Sequence, residues 1–235
     1  MSIKYPQQLL LGVKLDDEAT YDNFFVADAN THLVQYMQNN LASASGKFLF
    51  IWGSTSAGKT HLQQAICHQV TAAGKTSIFI PLAECGEIAP EILEGLEQLD
   101  LVCLDDIDAA LGKPEWEMAL FNLYNRARES GTAIIITGRV APQHLVVSLP
   151  DLRSRLQSAV VFQLHGLSDE EKSAMLKMRA GHRGIDLPDP VVEFILQRSK
   201  REVVALLDVL HRLDRQSLEQ KRRITIPLVK QTMLW

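Results

Sequence analysis

Apolar positions along this chain follow two patterns that change over near Gly166. Before that point, short runs rich in β-branched residues recur at 47–52, 77–81, 99–105, 133–137 and 159–164. Runs of this length bounded by turn residues predict buried strands. Between most of them apolar residues return at helical spacing, over 61–73, 90–98 and 115–129. Strands alternating with helices predict an α/β fold, a five-stranded parallel sheet covered by helices on both faces. Gly131 is the expected stop for the helix that carries Trp116, Leu120, Leu123 and Tyr124 on one face.

Beyond Gly166 the strand pattern stops and helix signals take over. Ser168-x-x-Glu171 predicts a capping box for a helix ending near Gly184, and Asp189-Pro190 supplies a cap and a first-turn proline for 191–198. Ser199-x-x-Glu202 predicts a second capping box, opening a long amphipathic helix with Val203, Leu206, Leu207, Leu210 and Leu213 inward. A last short helix is expected around Pro227. The expected organisation is a short N-terminal segment over 1–15, an α/β domain over 16–166 and a small all-helical domain over 167–235.

The strongest chemical signal lies between the first strand and the first helix after it. Gly53-Ser54-Thr55-Ser56-Ala57-Gly58-Lys59-Thr60 fits the P-loop pattern at every fixed position, in the strand-loop-helix context that motif requires. Glycines at 53 and 58 let backbone N–H groups turn around phosphates at the positive end of the following helix. Lys59 is expected on the β- and γ-phosphates and the Thr60 hydroxyl on Mg²⁺. His61 follows directly and is counted with the nucleotide contacts, its alternative being a solvated helix position. The run Leu101-Val102-Cys103-Leu104-Asp105-Asp106 supplies the acid such a loop needs, a Walker B strand. Asp105 is then a Mg²⁺ partner, and Asp106 stands where many ATPases place a residue that polarises the attacking water.

Composition narrows the picture only a little. The chain has 235 residues, 46% hydrophobic and 22% charged, an ordinary globular balance with length enough for a sizeable core. No basic segment followed by an apolar one opens the chain, and its apolar runs are too short to cross a bilayer, so a cytoplasmic protein without membrane association is expected. Cys67, Cys85 and Cys103 are scattered, without metal-ligand spacing, and read as reduced thiols. A net charge of −4 does not suit a protein that grips duplex DNA alone through many phosphate contacts. The densest basic cluster, Lys221-Arg222-Arg223, reads as a solvated turn.

A P-loop sheet followed by a small helical lid resembles the AAA+ family, and several strings narrow the resemblance to its DnaA/Hda branch. Ala19-Thr20-Tyr21-Asp22-Asn23-Phe24-Phe25-Val26 is similar to the segment that precedes the P-loop there and helps line the adenine pocket, which implies nucleotide contacts at Tyr21, Phe24 and Val26. The paired aspartates at 105 and 106 are shared, and Ser154-Arg155-Leu156 resembles the segment carrying the arginine finger. Arg155 is the implied finger, acting in trans, with Arg153 as the alternative. Lys200-Arg201-Glu202 opens a lid helix as the sensor 2 motif does, which implies Arg201 on the nucleotide phosphates. Thr137 is the polar candidate for sensor 1, but Gly138-Arg139 stands where DnaA has Ser-Asp, so slow or absent intrinsic hydrolysis is expected.

The N-terminal Gln8-Leu9-Leu10-Leu11-Gly12 resembles the QLxLP peptide that docks into the β sliding clamp of DNA polymerase III, with Gly12 in place of proline. No string resembles the helix-turn-helix that follows the lid in DnaA. Together these imply a nucleotide-bound regulator, holding ADP or ATP with Mg²⁺, whose partners are DnaA and the clamp. DNA is reached mainly through the clamp, and a homo-oligomer is compatible. Two other classes stay open: a helicase loader or DNA-remodelling AAA+ ATPase, which predicts DNA-stimulated turnover of free ATP, and a small-molecule kinase.

Overall fold

The computed structural model describes residues 15–40, 46–84, 89–220 and 223–235. The clamp-like peptide, Cys85 and the basic pair Lys221-Arg222 lie outside them. The strands are β1 (Phe48–Trp52), β2 (Ser77–Pro81), β3 (Leu101–Asp105), β4 (Ala133–Gly138) and β5 (Val160–Gln163). They form one sheet in the order β2-β3-β4-β1-β5, and every pairing is parallel. Register runs Phe48↔Ile134 and Leu49↔Val160 on either side of β1, and Leu101↔Ala133 between β3 and β4.

Alternation along the strands divides the core into two layers, because successive side chains point to opposite faces. Phe50, Val102, Leu104, Ile134 and Ile136 meet Trp116, Leu120 and Leu123 of α3 (Pro114–Ser130) and Leu152 and Leu156 of α4 (Pro150–Gln157). On the other face Leu49, Ile51, Leu101, Cys103 and Ile135 meet Leu33, Val34 and Met37 of α1 (Thr31–Asn40) and Leu62, Ile66 and Val70 of α2 (Lys59–Ala72). Central strands covered on both faces carry near-continuous apolar runs. The burial of all residues of β3 and β4 is the structural form of that pattern. Cys67 and Cys103 are free and buried in the second layer, their sulfurs 3.6 Å apart.

A third core lies among α5 (Asp169–His182), α6 (Asp189–Arg198), α7 (Val203–Gln220) and α8 (Ile226–Met233). Met175, Leu176, Val192, Ile195, Leu206, Leu210, Leu213 and Val229 are buried there. The capping box of α5 is present in both directions: Ser168 Oγ accepts from the Glu171 N–H, and Glu171 accepts from the Ser168 N–H. Among the described residues no helix is long and apolar enough to cross a membrane.

Four local expectations differ from the structure. The stretch 90–98 forms two short 3₁₀ segments, Pro90–Leu93 and Leu96–Gln98, because Glu94 is extended and Gly95 takes the left-handed region at φ +78°. Ser199 does not cap α7: its N–H closes the end of α6 on Ile195 O, and its buried hydroxyl has no hydrogen-bond partner. Asp189 is the first residue of α6, whose N-cap position is Pro188 without a side-chain cap; the Asp189 carboxylate pairs with Lys177. The strand at 159–164 is a sheet edge, and Val160 and Val161 are exposed on it.

Candidate functional site

The sheet order places the candidate chemistry. β4 lies between β1 and β3, so the loop after β1, the acids after β3 and Thr137 on β4 all arrive at one carboxyl edge. Parallel α/β sheets bind ligands at such edges. From β1 the chain turns through Gly53, whose N–H bonds Gly138 O at 3.2 Å. A Cβ on Gly53 would stand 2.3 Å from the carbonyl oxygen of Leu164, so only glycine passes there without a shift. Ser56 at φ +62° and Gly58 at φ +102° then curl the loop into α2. The first amides of a helix have no intrahelical acceptor, so residues 58–61 present donors at the positive end of α2.

Two side chains converge on Asp105 at this edge. Thr60 Oγ1 donates to Asp105 Oδ2 at 2.7 Å and Thr137 Oγ1 donates to Asp105 Oδ1 at 2.6 Å. Thr137 also accepts the Asp106 N–H at 2.9 Å. Fully buried and with its hydroxyl used in both directions, Thr137 fixes the carboxylate of its neighbour strand rather than facing the cleft, which revises its expected place as a water-positioning sensor. Lys59 Nζ donates to Gly53 O and Ser54 O at 2.8 and 2.9 Å. Burial holds the Lys59 ammonium below its usual range, with Asp105, Asp106 and Asp108 acting the other way. A hydroxyl and a carboxylate oxygen this close form the hard oxygen pair that suits a divalent cation on a phosphate, so Thr60 and Asp105 fit nucleotide-bound Mg²⁺.

Asp106 is placed differently. Its backbone is left-handed at φ +54°, and its Oδ2 accepts from Arg139 Nη2 at 3.1 Å. The carboxylate is thereby engaged with a guanidinium.

The cleft beside the loop has a volume of about 300 Å³. Residues 56–61 form its phosphate end, Asp16, Ala19, Asn23, Phe24 and Phe25 one wall, and Leu167, Met175, Arg179, Val203, Val204 and Leu207 the helical side. Phe24 packs over Gly58, where an added Cβ would come within 2.8 Å of the ring. Its ring also lies 5.4 Å from that of His61. His61 Nε2 bonds Thr20 O at 2.8 Å, and Asp16 is tied to α2 by its N–H on Gln64 and its carbonyl on His68. Burial, partly opposed by the Thr20 bond, pushes the His61 imidazole below its ordinary pKa and favours the neutral ring. In this respect His61 is a structural member of the wall.

Tyr21, Val26 and Arg201 do not line the cleft. Tyr21 packs into the α2-side core with its hydroxyl buried and unpartnered, and burial raises its phenol. Val26 is exposed. Arg201 lies exposed ahead of α7 and donates to Asp169 at 2.7 Å. The helical side instead offers Arg179, only 5% exposed, which donates to Asn23 O at 2.8 Å and to Glu18 Oε2 at 3.0 Å. Arg183 donates to the same Glu18 oxygen at 2.6 Å. One carboxylate thus fastens Arg179 of α5 and Arg183, just past its end, to the wall segment. Motif reading misses Arg179, although one signal was present: it shares a helix face with buried Met175 and Leu176, where a charge demands a partner.

Arg153 and Arg155 lie on α4, away from this chain's own cleft. Arg153 bonds Val147 O, while the Arg155 guanidinium lies 5.6 Å from the centre of the Tyr124 ring. Gln63 on α2 reaches the other way, its amide donating to Leu104 O and Ile135 O, both at 3.1 Å.

Comparison with known proteins places this architecture. Residues 169–233 match the family model described as Hda, lid domain, and residues 15–80 match that of the bacterial DnaA ATPase domain. Domain III of the Thermotoga maritima replication initiation protein DnaA superposes with a TM-score of 0.76 at 20% identity, over 94% of this chain and 98% of that one. AMPPCP-bound DnaA from Aquifex aeolicus gives 0.69 at 21%, over 87% and 68%. The Thermotoga maritima RuvB Holliday junction branch migration motor gives 0.66 at 18%, over 92% and 71%. Matches of this identity establish the fold, and the two family models, one at each end of the chain, narrow it: the chain belongs to the DnaA/Hda family of AAA+ replication-initiation proteins.

Proposed function

We propose that this chain is a nucleotide-holding regulator of replication initiation that promotes hydrolysis of ATP bound to DnaA. The observation that carries the reading is Arg155, which α4 holds beside Tyr124 and outside the chain's own cleft. The lid match to Hda supports it. A guanidinium presented to a neighbouring subunit can offset charge developing on a transferring phosphoryl group, an effect on the order of 10³–10⁵ in rate in NTPases that use one. The ring beneath Arg155 restricts its rotamers without neutralising it, since a cation over an aromatic face keeps its full charge. Arg153 is bound to a backbone carbonyl of its own chain, which favours Arg155 as the finger.

The chain's own cleft takes ADP or ATP in this reading. Loop residues 53–60 bind the phosphates, Lys59 leaving its carbonyl partners for them, and Phe24 with the wall at 16–25 encloses the base. Thr60 and Asp105 hold Mg²⁺, whose charge neutralises the phosphates. The helical domain over 167–235 acts as a lid on the α/β domain over 16–166. Gln8 to Leu11 bring the chain to the β sliding clamp, and so to DNA.

The test is hydrolysis of DnaA-bound ATP with this chain added, with and without clamp loaded on DNA. Clamp-dependent acceleration, lost in Arg155→Ala and in a Gln8→Ala, Leu11→Ala variant, is the expected result. DNA-stimulated turnover of free ATP without any effect on DnaA would instead identify a loader.

A further inference from the structure

β4 ends at Gly138, where an added Cβ would meet the Phe50 ring at 2.9 Å, so the backbone sits tight against the core. The next residue, Arg139, is fixed by its own N–H, which donates to Asp108 Oδ2 at 2.8 Å. From that anchor its guanidinium reaches Asp106 Oδ2. The other oxygen, Asp106 Oδ1, is buried and has no hydrogen-bond partner. The left-handed backbone of Asp106 is held by its N–H on Thr137. Asp106 is therefore pinned at its backbone by β4 and at its side chain by the residue that follows that strand.

We propose that Arg139 is a positioning residue that holds Asp106 out of the hydrolytic reaction, so that this chain keeps the triphosphate it binds. The inference rests on the reading of the cleft as a nucleotide site. Hydrolysis forms a bond from a water oxygen to the γ-phosphorus and breaks the bond from that phosphorus to the β–γ bridging oxygen. A carboxylate beside the water orients it and takes one of its protons, which departs with the product phosphate. That task needs a free lone pair within hydrogen-bond reach of the water and a basicity suited to accepting the proton. In Asp106 one oxygen is occupied by a guanidinium and the other is turned into the protein.

Stability alone does not account for the pair. Arg139 is 61% exposed, and exposed ion pairs contribute little to folding. The pair does place a fixed positive charge where a second acid of the Walker B strand would otherwise act. General-base assistance contributes roughly 10²–10⁴ in rate, which sets the scale of what is withheld.

The experiment compares the parent chain with Arg139→Gln, Arg139→Lys and the double variant Arg139→Gln, Asp106→Asn. Two quantities are read: ATP affinity and single-turnover hydrolysis of bound ATP by the isolated chain. The expected result is a hydrolysis rate in Arg139→Gln at least ~10-fold above the parent at unchanged ATP affinity. Arg139→Lys, which keeps the charge, gains less, and the double variant loses the gain. Arg139→Gln that binds ATP and hydrolyses it at the parent rate overturns the proposal, as does a gain that survives in the double variant. A parent chain that binds no ATP overturns the nucleotide reading and this proposal with it, a result distinguishable because the affinity measurement fails first.

Discussion

The two ends of the cleft are built by different means. At the phosphate end, β1, β3 and β4 deliver the loop, Asp105 and Thr137 from adjacent strand ends, and backbone atoms within one sheet fix their spacing. At the other end, a wall at 16–25 and a helix at 169–182 meet through side chains about 160 residues apart, Glu18 with Arg179 and Arg183. The first arrangement is fixed by backbone pairing, whereas the second rests on side chains: the ion pairs, the Arg179 bond to Asn23 O and the packing of Phe25 against the helical core. Nucleotide-dependent movement of the helical layer is therefore expected at the Glu18 end, with little change around Asp105.

Substitutions separate the two ends. The largest effect is expected from Gly53→Ala, whose methyl would collide with a backbone carbonyl where β1 meets Leu164. Overpacking against backbone costs about 3 kcal/mol, and a melting measurement checks it. Glu18→Gln comes next. It leaves buried Arg179 without its anion, while half-buried Arg183 keeps Asp214, for a loss of about 2 kcal/mol, moderated because Glu18 is itself 45% exposed. Hydrogen exchange should then speed up in α5 and in 16–25 while β3 and β4 stay protected; equal acceleration throughout would erase the distinction between the ends.

A smaller effect follows from His61. Burial lowers its folded pKa below the unfolded value of about 6.5, so the neutral ring's contribution is fully present above that value. As pH falls through 6.5 toward the lowered folded value, the unfolded chain binds the proton first and stability declines. His61→Gln should flatten that part of the profile in acid melts. Smallest is Arg201→Ala, which removes an exposed pair with Asp169 and should shift the stability of the free chain by less than about 0.5 kcal/mol. The same variant measures the expectation drawn from the lid motif: an unchanged ADP affinity would leave Arg179 and not Arg201 as the cationic side chain of the helical side.

Legibility in the sequence divides along the same line. All five strands, the loop and Asp105 were readable because each rests on contiguous residues: an apolar run, a glycine spacing, an acid at a strand end. The box at Ser168 was readable for the same reason, whereas the identical spacing at Ser199 was misleading, since the end of α6 claimed its backbone first. Tyr21 shows why residue type alone does not place a side chain. An aromatic next to a cleft can as well be drawn into the adjoining core, and here it was. Glu18, Arg179 and Arg183 belong to no motif, and only tertiary packing brings them together. The ion pair of Arg139 with Asp106 was half visible, as a charge of unexpected sign after β4, but its partner could not be named without the left-handed turn at Asp106.

The amide of Gln63 links the phosphate loop to the middle of the sheet. Paired register between β3 and β4 ends at Leu104↔Ile136, and there a single side chain from α2 bonds a carbonyl of each strand. The helix that begins on the phosphate loop is thus riveted to the place where the two acid-bearing and threonine-bearing strands part company. A ligand that displaces the loop would pull on α2, and through the Gln63 amide that pull would reach the strand positions next to Asp105 and Thr137.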